Sequence, residues 1–366
     1  MTAPPRVLIL TASVGEGHDL PARTLAAQLR AERPDVEVVV EDGLAPMGRF
    51  VTAISADAGR IVFFHLQWLW DLGFWFFAGA GPTRGFTQAA LTRLGGPGLV
   101  KMIERVQPDV IVCTYPNTTE VLGRLRRSGR IGVPVCSAIT DLAAMHYWAS
   151  PGVDVHLTTY PESTEEIRRV AGPTARVHCV HGLTTPEFLE PRDAQQARRA
   201  LSLPAEGKIV LISGGGWGVG DIAGAVEEAL VPNDVSCVVC LCGRNDSLRE
   251  RLGARFAAED RVRVEGFTEQ MAEWMAAGDA LIHTTGGLTV LEALMRGLPA
   301  ISYGWGRGHV RVNNAAFQAF GLADVVSSRS GLQSAIRRAL DRGPISQDGF
   351  RKLPSAASLV LELADR

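Results

Sequence analysis

Lysine is almost absent from this chain of 366 residues: it occurs only at 101, 208 and 352, and arginine carries the rest of the positive charge. That bias reflects base composition rather than function. The formal net charge is −2, so there is no global pull towards nucleic acid, and none is expected as a partner. The start of the chain lacks the basic segment and apolar run of a secretory signal, and it reads as strand from residue 7, so a cytoplasmic location is expected. No Gly-Lys-Ser/Thr follows a glycine-rich turn, which excludes a P-loop. Cysteine is sparse and scattered, at 113, 136, 179, 237, 240 and 242. The last three share an apolar strand pattern in which 240 and 242 occupy one face and 237 the other, with no partner cluster of His or Cys. Buried reduced thiols are expected and no metal site. Short-period repeats and low-complexity segments are also missing.

What is present is strand and helix in alternation, twice over. Strand-like runs fall at 7–11, 36–40, 109–113, 133–139, 153–158 and 176–180, with a helical pattern over 20–33. Residues 182–191 interrupt the rhythm with two prolines and read as a linker. A second series follows at 208–213, 236–242, 261–264, 280–283, 299–303 and 323–326. The expected class is α/β, with two Rossmann-like doubly wound domains facing across a cleft. Their expected bounds are 1–185 and 192–345, with a C-terminal helix over 346–366 packing back across the cleft. Ligands in such sheets bind beyond the carboxyl ends of the strands.

The chemistry-bearing residues cluster at those ends. His283-Thr-Thr-Gly286-Gly287-Leu288-Thr289 reads as a strand, a Gly-Gly turn and a helix opening near 288 or 289. Glycines there let a ligand approach backbone N–H groups at the positive end of the helix dipole. Glu292 is expected in the first turn, where its carboxylate suits the ribose of a nucleotide diphosphate. A capped strand and ordinary amphipathic helix is the plainer alternative. Five glycines in the seven residues 214–220 exceed what a structural turn requires, and suit close approach to phosphate oxygens. Gly15-Glu-Gly17-His18 opens the first half. It lacks the third glycine of a dinucleotide fingerprint, although Asp42 is available, so NAD binding is a weak reading. At that turn His18 can take a proton from an acceptor hydroxyl, or serve merely as a capping or solvent-facing residue. Asp141, His146 and Trp148 follow the strand ending at 139, where Asp141 either orients an acceptor or caps a helix. There is no Asp-x-Asp, which argues against a metal-clamped sugar nucleotide.

Taken in order, these residues resemble the lipid-directed glycosyltransferases of the monogalactosyldiacylglycerol synthase and processive diacylglycerol glucosyltransferase group, relatives of the peptidoglycan enzyme MurG. The resemblance runs from Gly15-x-Gly-His18 through Thr140-Asp-Leu, His146, Trp148, His181-Gly-Leu, Gly214-Gly-Gly, Cys242-Gly-Arg244-Asn245 and Gly266-Phe267. It continues through Gly286-Gly-Leu-Thr-Val-Leu-Glu292 and Arg296-Gly-Leu-Pro299 to Asn313. It implies a GT-B fold and an inverting, metal-independent transfer from a UDP-sugar, which is a substrate, so no cofactor is expected. By the same resemblance His18 is the base and Asp141 assists. Gly215, Gly216, Arg244, Phe267, Gly286, Gly287, Leu288, Thr289, Glu292, His309 and Asn313 would hold the donor. One departure concerns the sugar: Gly308-His309-Val310 stands where the family carries Gly-Gln-Glu or a Gln pair, and Val310 offers no hydrogen bond to a sugar hydroxyl.

Residues 61–81 hold eight of the 24 aromatic Phe, Trp and Tyr residues, Trp68 and Trp75 among them. Asp71 at mid-segment, at a cost of roughly 2.5–3.5 kcal/mol in a bilayer centre, argues against a spanning helix. The segment suits an interfacial element meeting a lipid acceptor and an anionic membrane; a core helix and hairpin or an oligomer contact is the alternative. Gly17, His146, Trp148, Trp68 and Trp75 are then the expected acceptor contacts, and the expected place is the inner face of the cell membrane. The same fold acting on a soluble amphipathic natural product, a non-catalytic nucleotide-binding protein and a UDP-sugar epimerase are the rival readings.

Overall fold

The computed structural model describes residues 4–12, 16–53, 73, 81–284, 287–304, 306, 308–346 and 348–366. Two compact units emerge. One comprises residues 1–185, 307–309 and 353–366, the other 186–306 and 310–352.

The first unit is built on strands β1 (Arg6–Thr11), β2 (Glu37–Asp42), β3 (Val110–Cys113), β4 (Val135–Ile139), β5 (Val155–Thr158) and β6 (Val177–Cys179). All pair in parallel, in the order β2-β1-β3-β4-β5-β6. Its helices are α1 (Glu16–Glu32), α2 (Arg49–Thr52), α3 (Gly81–Val106), α4 (Pro116–Arg127) and α5 (Thr164–Ala171). Alternation along β1 divides the core between two faces. Val7 and Ile9 pack with Ala22, Leu25 and Leu29 of α1. Leu8 and Leu10 pack with Leu99 and Ile103 of α3 and with Val121, Leu122 and Leu125 of α4.

In the second unit the helices run α6 (Ala194–Ala200), α7 (Ile222–Ala229), α8 (Asp246–Arg255), α9 (Met271–Ala277), α10 (Leu288–Met295), α11 (His309–Ala319), α12 (Arg329–Arg342) and α13 (Asp348–Arg351). The strands are β7 (Lys208–Ser213), β8 (Val235–Leu241), β9 (Val262–Glu265), β10 (Ala280–His283), β11 (Ala300–Tyr303) and β12 (Asp324–Val326). They form a second parallel sheet in the order β12-β11-β10-β7-β8-β9. Its core joins Val210 and Ile212 to Ala225 and Val226 of α7 and to Leu332 and Ile336 of α12. Cys240 and Cys242 enter this core together while Cys237 does not, as strand alternation requires, and all six cysteines are free thiols.

Strand order reverses between β1 and β3 in one sheet and between β7 and β10 in the other. At such switch points the flanking loops part and leave a crevice beyond the carboxyl ends of the strands. Arg296 of the Arg-Gly-Leu-Pro motif has a structural task within the second unit: it donates to the carbonyls of Ala272, Glu187 and Glu190 at 3.1, 3.0 and 2.7 Å, tying the linker down.

The C-terminal stretch expected as one helix over 346–366 is two. The short α13 stays with the second unit, while α14 (Ala356–Ala364) belongs to the first. Its Ala356, Ala357 and Val360 join the core beside α1. Ser358 Oγ donates to Glu32 at 2.7 Å, and Arg33 pairs with Asp365 at 2.7 Å. An apolar face of α1 calls for this partner, so Pro354 and the Ser355 N-cap start a fresh helix there.

Candidate functional site

The first cluster lies at the switch point of the first sheet. The helix expected from residue 20 begins four residues earlier, at Glu16, with Pro21 inside it. His18 is therefore not in a turn before the helix but in its first turn. Its Nδ1 lies 2.9 Å from the carbonyl of Thr114, the residue just beyond β3. A carbonyl only accepts, so Nδ1 carries the hydrogen and the Nε2 lone pair is left available. Thr114 Oγ1 returns a hydrogen bond to the His18 carbonyl at 3.0 Å. The imidazole stands edge-on to Tyr115, with ring centres 5.0 Å apart, and 5.8 Å from Trp148. Burial holds the His18 pKa below its ordinary value, against the Asp141 charge, which raises it.

Asp141 is not a helix cap, because residues 141–149 form an irregular turn rather than a helix. Its Oδ2 accepts the indole N–H of Trp148 at 2.8 Å. Trp148 is 2% exposed, so it walls the cluster and steadies Asp141 from inside the fold. His146 is half-buried, its pKa lowered by burial and by Arg84. Gly17 is exposed at the start of α1. Trp68, Trp75 and nearly all of the aromatic segment lie outside the described residues.

A second cluster occupies the switch point of the other sheet. After β7 the chain turns through Gly214, Gly215 and Gly216, and the Arg244 N–H donates to the Gly216 carbonyl at 2.8 Å. That bond joins the loop after β7 to the loop after β8. Gly243 lies between them at φ +57°, where an added Cβ would sit 2.6 Å from the Gly216 carbonyl oxygen, so no side chain fits. The Arg244 guanidinium stacks over Phe267 at 4.3 Å from the ring centre, and Phe267 is 50% exposed. Together they offer a flat cationic and aromatic surface beyond β8 and β9. Thr284, at the end of β10, donates its hydroxyl to the Val219 carbonyl and closes the other side.

Gly287, at φ +71°, caps α10, which opens at Leu288 as expected, with Leu288 and Thr289 partly exposed. Gly286 lies outside the described residues. Glu292 is the fifth residue of α10, hence in its second turn rather than its first. It is 7% exposed, and its carboxyl has no hydrogen bond or ion pair among the described residues; burial pushes its pKa up to about 8. An unpartnered buried carboxyl is costly, and its usual explanation is a ligand that completes it. Asn313 is buried in α11, and its neighbour Asn314 accepts from Ser302 at 2.7 Å. Val310 is buried as well. His309, expected with the second-domain donor residues, belongs with the first unit although it opens α11. A three-residue stretch, 307–309, that groups with the other unit leaves no mark in hydrophobic periodicity.

Thr114, Tyr115 and Thr284 escaped the sequence reading. Thr114 and Thr284 follow directly on a strand and Tyr115 one residue later, so a polar residue at a strand's carboxyl end was the available signal. The partner across the sheet was not.

Residues 18–182 match the family model described as Monogalactosyldiacylglycerol (MGDG) synthase, and residues 216–341 that described as Glycosyl transferases group 1. The fold and these matches define a glycosyltransferase of the GT-B class, whose first unit is similar to the MGDG synthase model over residues 18–182. The chain is 26% identical over 339 residues to the Processive diacylglycerol beta-glucosyltransferase of Bacillus subtilis (strain 168), covering 90% of this chain and 86% of that one. It is 32% identical over 313 residues to the protein of Oryza sativa subsp. indica named Probable monogalactosyldiacylglycerol synthase 2, chloroplastic, covering 81% of this chain and 65% of that one. Among solved structures, MurG of Acinetobacter baumannii superposes with a TM-score of 0.55 at 16% identity, covering 98% of this chain and 100% of MurG. Os79 of O. sativa in complex with UDP gives 0.61 at 13% identity, covering 98% and 99%. Identities this low speak for the fold alone. No helix among the described residues is long and apolar enough to cross a membrane.

Proposed function

We propose that this glycosyltransferase moves a sugar from a UDP-sugar to a lipid hydroxyl, of diacylglycerol or a glycosyldiacylglycerol, with inversion and without a metal ion. Its place of work is the inner face of the cytoplasmic membrane, as a peripheral protein. The observation that carries the reading is the state of His18. With Nδ1–H given to Thr114 and burial disfavouring the charged form, the imidazole is neutral near pH 7 and basic at Nε2. It accepts the hydroxyl proton as the acceptor oxygen attacks the anomeric carbon. Asp141 then favours the imidazolium that results. A single base serving a single displacement gives inversion.

The leaving diphosphate needs positive partial charge. In this reading it comes from the backbone N–H groups of Gly215 and Gly216 and from the start of α10 at Gly287, Leu288 and Thr289. Glu292 accepts the ribose hydroxyls, the partners its buried carboxyl otherwise lacks. Arg244 and Phe267 flank the uracil, and His309 and Asn313 approach the sugar. Support for the acceptor comes from the names of the relatives, a diacylglycerol glucosyltransferase and a probable monogalactosyldiacylglycerol synthase. Support for the donor comes from the UDP complex of a protein of the same fold. Exposed Phe50 and Phe86 on either side of the aromatic segment in sequence favour contact with lipid.

The test is a radiolabelled transfer assay on anionic liposomes containing diacylglycerol, with UDP-glucose, UDP-galactose and UDP-N-acetylglucosamine in parallel. A lipid-extractable product is expected with one donor and names the sugar. No product from any donor, with UDP binding demonstrated on the same sample, overturns the lipid acceptor and favours a soluble acceptor or a non-catalytic role.

A further inference from the structure

We propose that Tyr147 and Thr87 are positioning residues: their paired hydroxyls hold the turn over 141–148 so that Asp141 and Trp148 stay beside His18. This rests on the reading of His18 as the base.

The turn is an unusual piece of chain. Ala144 and Tyr147 both have left-handed backbones, at φ +66° and +77°, which a bulky side chain rarely adopts unless its surroundings enforce it. At Tyr147 the consequence is directional. Consecutive side chains part, Tyr147 reaching Thr87 on α3 and Trp148 reaching Asp141. The backbone of Trp148 is gripped by the sheet, since Ser137 Oγ on β4 donates to its carbonyl at 2.8 Å. Further back, Ser163 Oγ donates to the Leu142 carbonyl at 2.7 Å and the Met145 N–H to Glu166 at 3.3 Å. These bonds anchor the turn to β4 and to the start of α5. The Tyr147 hydroxyl adds an anchor to the helix that follows the aromatic segment.

Donor and acceptor in that bond can be assigned. Thr87 Oγ1 has one hydrogen and gives it to the Arg84 carbonyl at 2.9 Å, so it accepts from Tyr147, whose oxygen lies 2.7 Å away. Burial, with Glu120 acting in the same sense, keeps the phenol protonated against the opposing effects of Thr87, Arg84 and Arg124. Removing the Tyr147 hydroxyl therefore leaves Thr87 with its own donation intact. The variant Tyr147→Phe probes position with little disturbance of packing.

The decisive readout is the titration of His18 itself, followed by NMR in the full-length protein. The charges it senses are Asp141 and Asp19, which raise its pKa, and His309, which lowers it. Asp19 is held by Thr11 at 2.8 Å, independently of the turn. In Tyr147→Phe and in Thr87→Val, Asp141 drifts and the His18 pKa falls further. The acid limb of kcat/KM follows to lower pH, kcat drops about tenfold, and the donor KM holds, the size expected of one hydrogen bond. Thr87→Ser keeps the acceptor oxygen and restores both titration and rate. An unmoved His18 titration in both variants overturns the proposal, as does a rate loss that merely tracks loss of folded protein. Because the titration needs no turnover, it reports on positioning even if His18→Ala were to retain activity and so remove His18 as the base.

Discussion

Thr114 holds His18 twice: its carbonyl takes the Nδ1 hydrogen at 2.9 Å, and its hydroxyl donates to the His18 carbonyl at 3.0 Å. Ring and backbone are thus tied to the end of β3. The imidazole cannot exchange its two nitrogens without leaving a carbonyl unpaired.

His18→Ala should lower transfer by about 10²–10⁴ while UDP affinity stays near normal, since the proposed base and the proposed nucleotide crevice stand on different units. The pH profile gives a second check. The active form is neutral and its pKa is lowered, so the acid limb of kcat/KM should lie below the ordinary histidine value of about 6.5. A limb at or above that value would contradict the buried, neutral state.

Glu292→Gln should weaken UDP binding, measured by calorimetry, because an amide accepts only through its one carbonyl oxygen. Stability should move the other way. The Glu292 pKa rises from its ordinary value to about 8, so between those values the unfolded chain has lost a proton that the folded protein retains. That contribution is complete below the unfolded pKa and lost as pH rises towards 8, by a few kcal/mol at the order-of-magnitude level. Chemical denaturation across pH 5–8 should show this decline in the ligand-free protein and a flatter profile in Glu292→Gln.

Gly243→Ala should damage the proposed nucleotide crevice. The new Cβ meets the Gly215 and Gly216 carbonyls at 2.7 and 2.6 Å, and the left-handed backbone adds strain. A loss of roughly 2–4 kcal/mol is expected, read as a lower thermal midpoint together with weaker UDP binding. Normal UDP affinity would mean that the two loops can part without consequence.

Leu361→Ala in α14 should destabilise the first unit by roughly 2–4 kcal/mol, since its side chain packs in the core with Leu25 and Leu29. Limited proteolysis should then cut the first unit before the second. Equal sensitivity of both units would contradict the grouping of α14 with the first alone.

Much of the fold was legible because parallel strands buried on both faces read as continuous apolar runs. The expected run at 208–213 is β7, and the one at 280–283 is β10, to the residue. The Gly-Gly turn and helix start at 288 were legible from glycine and from helical spacing. The start of α1 was not, because Pro21 lacks an N–H and crowds the Gly17 carbonyl, so local rules place the boundary just before it. The two C-terminal helices were read as one because the break at 354–355 is set by what α14 packs against.

The sequence alone determined the two-fold alternation of strand and helix, the glycine turns at strand ends, the family resemblance and the identity of His18, Asp141 and Glu292 as the polar groups of interest. These follow from periodicity and residue chemistry within a dozen neighbours. Only the tertiary structure decided that His18 gives its Nδ1 hydrogen to a carbonyl 96 residues away, that Asp141 is held by an indole, and that Glu292 is buried, its carboxyl without a partner among the described residues. A tautomer or a buried charge depends on which atoms lie within hydrogen-bond reach, and that is set by sheet order, which brings β1 beside β3 and β7 beside β10.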